Sequence, residues 1–549
     1  MNPLSQRTPF QSAPDGDVTT QLQRSYDEVP YQSLPFPETD LDHLRMVAHV
    51  FGLSAPPVTQ ARVLEIGCAS GGNLIPMAVR YPQARFAGLD VSLKQVELAR
   101  KRVAELGLTN VDIHHVDVRR VKLKPASLDY IICHGVFSWV PPEVQRGILR
   151  LCGASLAPGG VAYISYNTYP GWKGREVIRD AMLLRGASRP TAAEKLGFAR
   201  GMLDFLQQTA LPGSLVRKVL DDNMPHLRLA SDDYLLHEYL EPCNQPQYFR
   251  AFVEQAAGHG MVYLGDAHPS GMFAYNHGAA VADPLLREVS DQVSLEQYLD
   301  FVTSRSFRST LLARTDAASG LRYDVQPERM AALHLAGRFT PAAAPAATAA
   351  PAPAGQAVPP AAWQDWRGFA VQPNPNPAVQ ALMQAVMQAL TAAWPATRDL
   401  LALRDACATE LRQPDLSVQA VCQAVLPLWV AGHLRARTLP VVCERPPRER
   451  MRLLPAALPH EGRVVTPWHQ PLQLSHLAQR VVDHLLKGPA GRDELLRHCA
   501  ALAASGELQL RDAGAPVPWA AEPQRAQALL ARELDTVLQD MENNGLLTA

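Results

Sequence analysis

The sequence predicts an α/β protein: an open, mostly parallel sheet with helices on both faces, broken by a helical insertion and followed by a mainly helical C-terminal region. Three observations predict it. Residues 62–92, RVLEIGCASGGNLIPMAVRYPQARFAGLDVS, read as strand, glycine turn, helix, strand and acid, a βαβ unit with a right-handed crossover. Strand-like and helix-like segments then alternate as far as Asn167. Beyond it, apolar residues recur at helical spacing through 173–240 and through most of 377–549.

Composition sets the bounds. A chain of 549 residues is too long for one ordinary domain, and about two to four is the prior. An apolar fraction of 47% supplies several cores, and a net charge of -1 gives no global field toward nucleic acid or membrane. The eight cysteines include no C-x-x-C pair, which argues against a structural zinc site and a disulfide scaffold. The N-terminal stretch MNPLSQRTPFQSAPDGD is polar and lacks a signal core. No run reaches the roughly 20 apolar residues of a membrane span. The expectation is a cytoplasmic protein without a metal, a membrane span or a nucleic-acid partner.

The elements follow in order. Residues 1–22 read as a disordered tail. Tyr26 to Tyr31 and the prolines after them suit an extended arm, which either closes over a ligand or pins itself to the surface. Leu41 to Phe51 is a helix that Asp40 can cap. Val63, Leu64 and Ile66 form the first strand; Gly67 to Gly72 form the turn; Asn73 to Arg80 is helical; Ala84 to Leu89 is the second strand, ending at Asp90.

The turn carries chemistry. A dinucleotide site prefers a glycine at the third turn position, where the pyrophosphate approaches; here that residue is Ala69, and Glu65 precedes the first glycine by two. Glu65-x-Gly67-x-Ala69-x-Gly71 resembles the first motif of class I S-adenosylmethionine-dependent methyltransferases. An acid suits a sulfonium ligand with a free ammonium, and a phosphate cradle does not. Asp90 lies 23 residues after Gly67, about where such folds place a carboxylate on the ribose hydroxyls. The alternative is an ordinary core strand followed by a tight turn.

Ser92 caps a helix over Leu93 to Leu106, and Val111 to Val116 is the third strand, ending at Asp117-Val118. An Asp there can accept an adenine amino group, with Val118 against the ring. Ser127 to His134 is the fourth strand; in methyltransferases of this class its end, here Cys133-His134-Gly135-Val136, faces the methionine half of the donor. His134 has a backbone role or acid–base work as alternatives, and Phe137 and Trp139 wall the cofactor or pack in the core. Pro142 to Leu156 is a helix, and Val161 to Asn167 the fifth strand. Ligands of open α/β sheets lie beyond the strand C-terminal ends, which puts Tyr166, Asn167, Tyr169 and Trp172 beside the transferred group. Asn167 can align an amine through its side-chain oxygen. The plainer reading is a Tyr-Pro-Gly turn at 169–171 and a buried Trp172.

Residues 173–240 form the helical insertion. Gln247 to Ala257 is a helix, Met261 to Leu264 a sixth strand, Leu295 to Thr303 a helix, and Phe307 to Leu312 an antiparallel seventh strand. The Ala/Pro stretch 340–362 reads as a linker. Pro377–Ala393, Asp415–Arg435, His476–Leu486, Asp493–Ala503 and Pro523–Asn543 show helical spacing, and the close in Asn543-Asn544-Gly545-Leu546-Leu547 suggests a winged-helix module. The arginines 445, 448, 450 and 452 read as solvated surface.

Together, YDEVPY (26–31), EIGCASGGNLIP (65–76), HGVFSWVP (134–141) and ISYNTYPGW (164–172) resemble bacterial methyltransferases that carry a methyltransferase regulatory domain. HEYLE (237–241), YLGDA (263–267) and EQYLDF with RSFRSTLL (296–312) are similar to that domain itself. Its relatives include the rickettsial protein lysine methyltransferases that modify outer-membrane protein B. The resemblance implies a Rossmann-like core at 23–172, a dimerisation-like insertion at 173–240, the sheet's end and a regulatory or middle region at 241–339, and a winged-helix-like domain at 363–549. It also implies S-adenosylmethionine as donor, S-adenosylhomocysteine as product, and a homodimer. The donor-contacting set would be Tyr31, Glu65, Gly67, Cys68, Ala69, Gly71, Asn73, Asp90, Val91, Asp117, Val118, His134, Gly135 and Val136, with Asn167, Tyr166 and Trp172 on the acceptor side. The implied reaction is N-methylation of lysine on a protein, such as a surface or outer-membrane protein before export. A small-molecule methyltransferase and a non-catalytic donor-binding regulator are the alternatives.

Overall fold

The structure, a computed structural model, describes residues 33–342 and 363–549. The tail 1–22, the arm residues Tyr26 and Tyr31, and most of the stretch 340–362 lie outside the described residues. The chain divides into two compact units: one runs to Leu34 and resumes over Val47–Asp324, and the other comprises Pro35–Met46 and Val325–Ala549.

The first unit is built on a seven-stranded sheet: β1 (Arg62–Ile66), β2 (Arg85–Asp90), β3 (Val111–His115), β4 (Leu128–Cys133), β5 (Leu156–Asn167), β6 (Met261–Asp266) and β7 (Phe307–Arg314). Its order is β3-β2-β1-β4-β5-β7-β6. The first five strands are parallel, and β7 is antiparallel to both β5 and β6. The order reverses between β1 and β4, which opens the crevice beyond their C-terminal ends. All six residues of β4 are buried, as expected of a central parallel strand covered on both faces.

β5 is longer than the sequence predicts. It starts at Leu156, and Pro158-Gly159-Gly160 lies within it. A register shift absorbs the extra residues: Leu128 sits opposite Leu156, but Tyr130 sits opposite Val161. One face of the sheet packs against the helices Pro142–Ser155 and Phe249–Ala257, through Ile66, Ile131, Ile148, Ile164, Tyr166, Phe252 and their neighbours.

The insertion comprises the helices Gly171–Gly186, Ala192–Thr209 and Leu215–Leu229 and a return through Leu236–Leu240. It has its own core, including Ile178, Met182, Leu203, Leu220 and Tyr239. Arg179 ties it to the return, donating to the carbonyls of Tyr239 and Glu241.

Between the helix Gln292–Thr303 and strands β6 and β7 lies a buried ionic network. Arg308, wholly buried, donates to both Asp300 carboxylate oxygens at 2.8 Å and to Glu296 Oε2 at 2.9 Å. Its guanidinium lies 3.6 Å from the Phe249 ring centroid. Tyr263 donates to Glu296, and Arg305 holds Asp266.

In the second unit the helices Pro377–Ala393, Leu400–Leu411 and Val418–Val430 precede a separate helical core. That core gathers His476–Leu485, Arg492–Ser505 and Pro523–Asn543. The hairpin Arg511–Asp512/Ala515–Pro516 turns through Ala513 and Gly514, both at positive φ, the geometry of a two-residue primed turn. Leu547–Thr548 returns to pair with Arg452–Leu453. The helix Asp40 was expected to cap does receive that cap: the Asp42 amide donates to Asp40 Oδ1 at 2.9 Å.

One boundary differs from expectation. Phe339–Pro341 and Trp363–Asp365 pair antiparallel, with Trp363 opposite Pro341. The two ends of the Ala/Pro stretch are therefore held in one sheet, and the division between units falls at Asp324/Val325. Strands of three residues leave no periodic trace in a sequence. Among the described residues no helix is long and apolar enough to cross a membrane.

Candidate active site

The turn after β1 is bound to the ends of its neighbours by short hydrogen bonds. The amides of Gly67 and Cys68 donate to the Leu89 carbonyl at 2.7 and 3.0 Å. The Ala69 amide donates to Asp90 Oδ2 at 2.8 Å, and the Gly72 amide to Ser33 Oγ at 2.7 Å. Gly67, Ala69 and Gly71 all have positive φ. At Gly67 a Cβ would stand 2.3 Å from Val136 Cγ2, so this glycine lets the β4 end close onto the turn. Gly88 has the same effect for Cys68, whose Sγ would lie 2.6 Å from a Cβ there. The Cys68 side chain thus points into the sheet, and its backbone alone belongs to the turn.

Two acids meet at this point. Glu65 is buried; its Oε1 accepts from Asn73 Nδ2 at 2.8 Å, while Oε2 is buried without a hydrogen-bond partner among the described residues. Burial pushes its carboxyl up to about 8; Asn73 works against the shift and Asp90 adds to it. Asp90 accepts the Ala69 amide on one oxygen and the Ser92 amide, at 2.9 Å, on the other. Burial raises its carboxyl too, although those amides oppose the shift. An orphaned carboxylate oxygen beside a second buried acid is the donor set for a cation. The residues therefore fit a ligand with an ammonium at Glu65 and hydroxyls at Asp90, where each oxygen keeps a lone pair. Val91 contributes its carbonyl to His115 Nε2 at 2.9 Å.

At the β4 end, Gly135 has φ +66° and donates its amide to Ser165 Oγ at 2.9 Å. His134 Nδ1 lies 2.8 Å from the Tyr163 hydroxyl, which itself donates to Ser309 Oγ at 3.0 Å. Burial pushes His134 down to about 3, with His268 adding to the shift, so the ring is neutral at physiological pH.

Three of the expected site residues have partners within the chain. Asp117 is committed within the chain: it accepts the Arg119 amide at 2.8 Å and pairs with the Arg119 guanidinium at 2.6 Å. Its carboxylate thus has a cationic partner within the chain. Tyr166 faces the helices, with its ring 4.2 Å from Phe252 and its hydroxyl 3.1 Å from Thr310 Oγ1. Trp172 is wholly buried between Trp139 and Tyr239. Asn167 is buried at the strand end: its amide donates to Ser138 Oγ at 2.8 Å and its Nδ2 to Asn244 Oδ1 at 3.1 Å. Val118 is buried, and Val136 packs on Gly67. Sequence reasoning missed Ser33, Arg119, Tyr163 and Ser165. A serine before the first helix and an arginine two residues after a strand-end Asp are common local patterns that carry no chemical signature.

Comparison with known proteins agrees with this geometry. A methyltransferase-domain model matches residues 63–160, a predicted methyltransferase regulatory domain 231–314, and the C-terminal winged helix domain of PKMT 444–546. The Rickettsia prowazekii protein RP028 is 37% identical over 234 residues, which is 42% of this chain and 93% of that one. The chain belongs to the S-adenosylmethionine-dependent methyltransferases with a methyltransferase regulatory domain. A second R. prowazekii protein, RP789, is 41% identical to this methyltransferase over 307 residues, 56% of the chain. That match spans about half of RP789, 55% of its length. The structure of PKMT2 from Rickettsia typhi in complex with AdoHcy superposes with a TM-score of 0.79 over 95% of this chain and all of that one. At 24% identity this likeness establishes the fold.

Proposed function

We propose that this methyltransferase N-methylates lysine side chains of a protein. The observation that carries the reading is the winged-helix model of PKMT at 444–546, in the same chain as the methyltransferase and regulatory domains. S-adenosylmethionine supplies an electrophilic methyl on a sulfonium. Glu65 Oε2 would take the donor's ammonium, Asp90 its ribose hydroxyls, and the backbone of Gly67 to Gly71 would line it. Asn73 holds Glu65 in place. His134, pushed down to about 3, is too weak a base to hold a lysine proton. Removal of that proton thus falls to desolvation of the amine and transfer to water. The nitrogen–carbon bond forms as the sulfur–carbon bond breaks, and the chain's work is positioning. Asn167, whose side-chain oxygen accepts no hydrogen bond among the described residues, would align the amine.

The test incubates the purified protein with methyl-labelled donor and lysate of its host. Label in a discrete, alkali-stable protein band that yields methyl-lysine on hydrolysis supports the reading. Label confined to soluble metabolites points to a small-molecule acceptor. An Asp90→Ala change is expected to weaken donor binding by at least ~100-fold in calorimetry, since it removes two ribose contacts and frees the Ala69 amide.

We also propose that the insertion dimerises the protein in the cytoplasm. Its Leu184, Leu211, Leu215 and Leu229 are 68–89% exposed, large apolar side chains of the kind an interface would cover. Leu184→Asp with Leu229→Asp is expected to convert a dimer to a monomer in light scattering; an unchanged mass would discard that face.

A further inference from the structure

The strand Arg435–Arg437 pairs with His334–Ala336, and its alternation puts Arg435 and Arg437 on one face. There Arg435 meets three tryptophans far apart in sequence. Its Cζ lies 5.2 Å from the Trp366 centroid, 5.5 Å from Trp394 and 5.2 Å from Trp468. Trp394 and Trp468 are within 7° of parallel, and Trp366 stacks on Trp394 at 5.8 Å. Arg437 faces Trp468 at 5.1 Å and Arg367 faces Trp366 at 4.8 Å.

Three guanidiniums share this face, and its two acids lie with the other two arginines, Arg367 and Arg437, and not with Arg435. Asp365 pairs with Arg367 at 2.6 Å and faces His433 at 3.0 Å. Asp42, near Arg437, accepts the amides of Thr438 and Leu439 at 3.0 Å. Arg435 has one hydrogen bond among the described residues, from Nη2 to Gln470 Oε1 at 3.1 Å, and no carboxylate partner. Burial, together with Arg437 and Arg367, pushes it down to about 10, the reverse of the effect a bound anion would have. Aromatic faces compensate a desolvated cation only in part. They do immobilise its plane, leaving the remaining N–H groups coplanar, which matches two carboxylate oxygens better than a tetrahedral phosphate. Phe369, 59% exposed and 4.9 Å from the Arg367 Cζ, adds an apolar rim.

We infer that the tryptophan-lined face around Arg435 is a carboxylate-binding site that takes an acidic side chain of a protein partner. The inference does not depend on the acceptor chemistry proposed above. Titrating the full-length protein with a short polyglutamate peptide, read by tryptophan fluorescence and calorimetry, tests it. One saturable site is expected, weakened at least ~10-fold by Arg435→Gln and less by Arg435→Lys, which keeps the charge but loses the fork. Thermal melting by circular dichroism checks the fold of each variant. If Arg435→Gln does not fold, the wild type and Arg435→Lys carry the comparison. Binding of inorganic phosphate without the peptide would overturn the assignment. So would a peptide affinity unchanged by the variant that folds, or the absence of any site in the wild type.

Discussion

Donor affinity is expected to rise with pH up to about 8 in the wild type, by as much as ~10-fold per unit, and to lose that dependence in Glu65→Gln. The cause lies in one atom. Among the described residues Glu65 Oε2 is buried without a hydrogen-bond partner and Oε1 has only Asn73, so burial favours the protonated acid in the donor-free protein. A bound ammonium reverses that preference, and binding below pH 8 must expel a proton. Calorimetry in two buffers of different ionisation enthalpy should show about one proton released at pH 7. The donor's own amino group titrates equally against wild type and variant, so the difference between them isolates Glu65. The same group sets a stability trend. Its folded value, about 8, lies above the ordinary 4.5, so its contribution is full below 4.5 and is lost as pH rises through 8, at up to ~1.4 kcal/mol per pH unit. Glu65→Gln should flatten this trend as well. A wild-type affinity independent of pH between 6 and 8 would mean that Glu65 is not the ammonium's partner.

Much of this site was legible because its signal is local. Glu65, Gly67, Ala69, Gly71 and Asp90 lie within one βαβ unit, where spacing along the chain is spacing in the fold. The seven strands were legible for a related reason: each is a compact apolar run bounded by a turn. What escaped depends on direction or distance. Tyr166 sits at a strand end as predicted, but β5 is buried on both faces, so alternation could not say that Tyr166 faces Phe252. Asp117 was placed correctly along the chain, yet its claim on Arg119 depends on rotamers that spacing does not encode. The tryptophans 366, 394 and 468 are joined by no motif at all, and only the folded chain brings them around Arg435.

Arg308→Ala is expected to cost about 3–5 kcal/mol of stability in the first unit, the penalty for leaving buried charges without their partner. Arg308 and Glu296 are wholly buried and Asp300 almost so, and the guanidinium bridges the two acids while facing Phe249. Burial works against the charge on Arg308, but Glu296 and Asp300 hold it well above its ordinary value. Burial also raises both acids, with Arg308 restraining the shift. The sign of the pH effect follows. Acids raised in the fold contribute most below their unfolded values, and that contribution is lost as pH rises through their folded values. Without Arg308 both acids shift higher, so the variant should lose more stability than wild type as pH rises, and the gap should narrow in acid. Adding Glu296→Gln and Asp300→Asn to an Arg308→Met change should recover part of the loss, because the arginine and its two nearest acids then lose their desolvated charges while Asp266 keeps Arg305. Urea titrations across pH measure each of these. A penalty below ~1 kcal/mol at neutral pH, the range of an exposed ion pair, would show that water reaches the network and that burial is not what makes Arg308 indispensable.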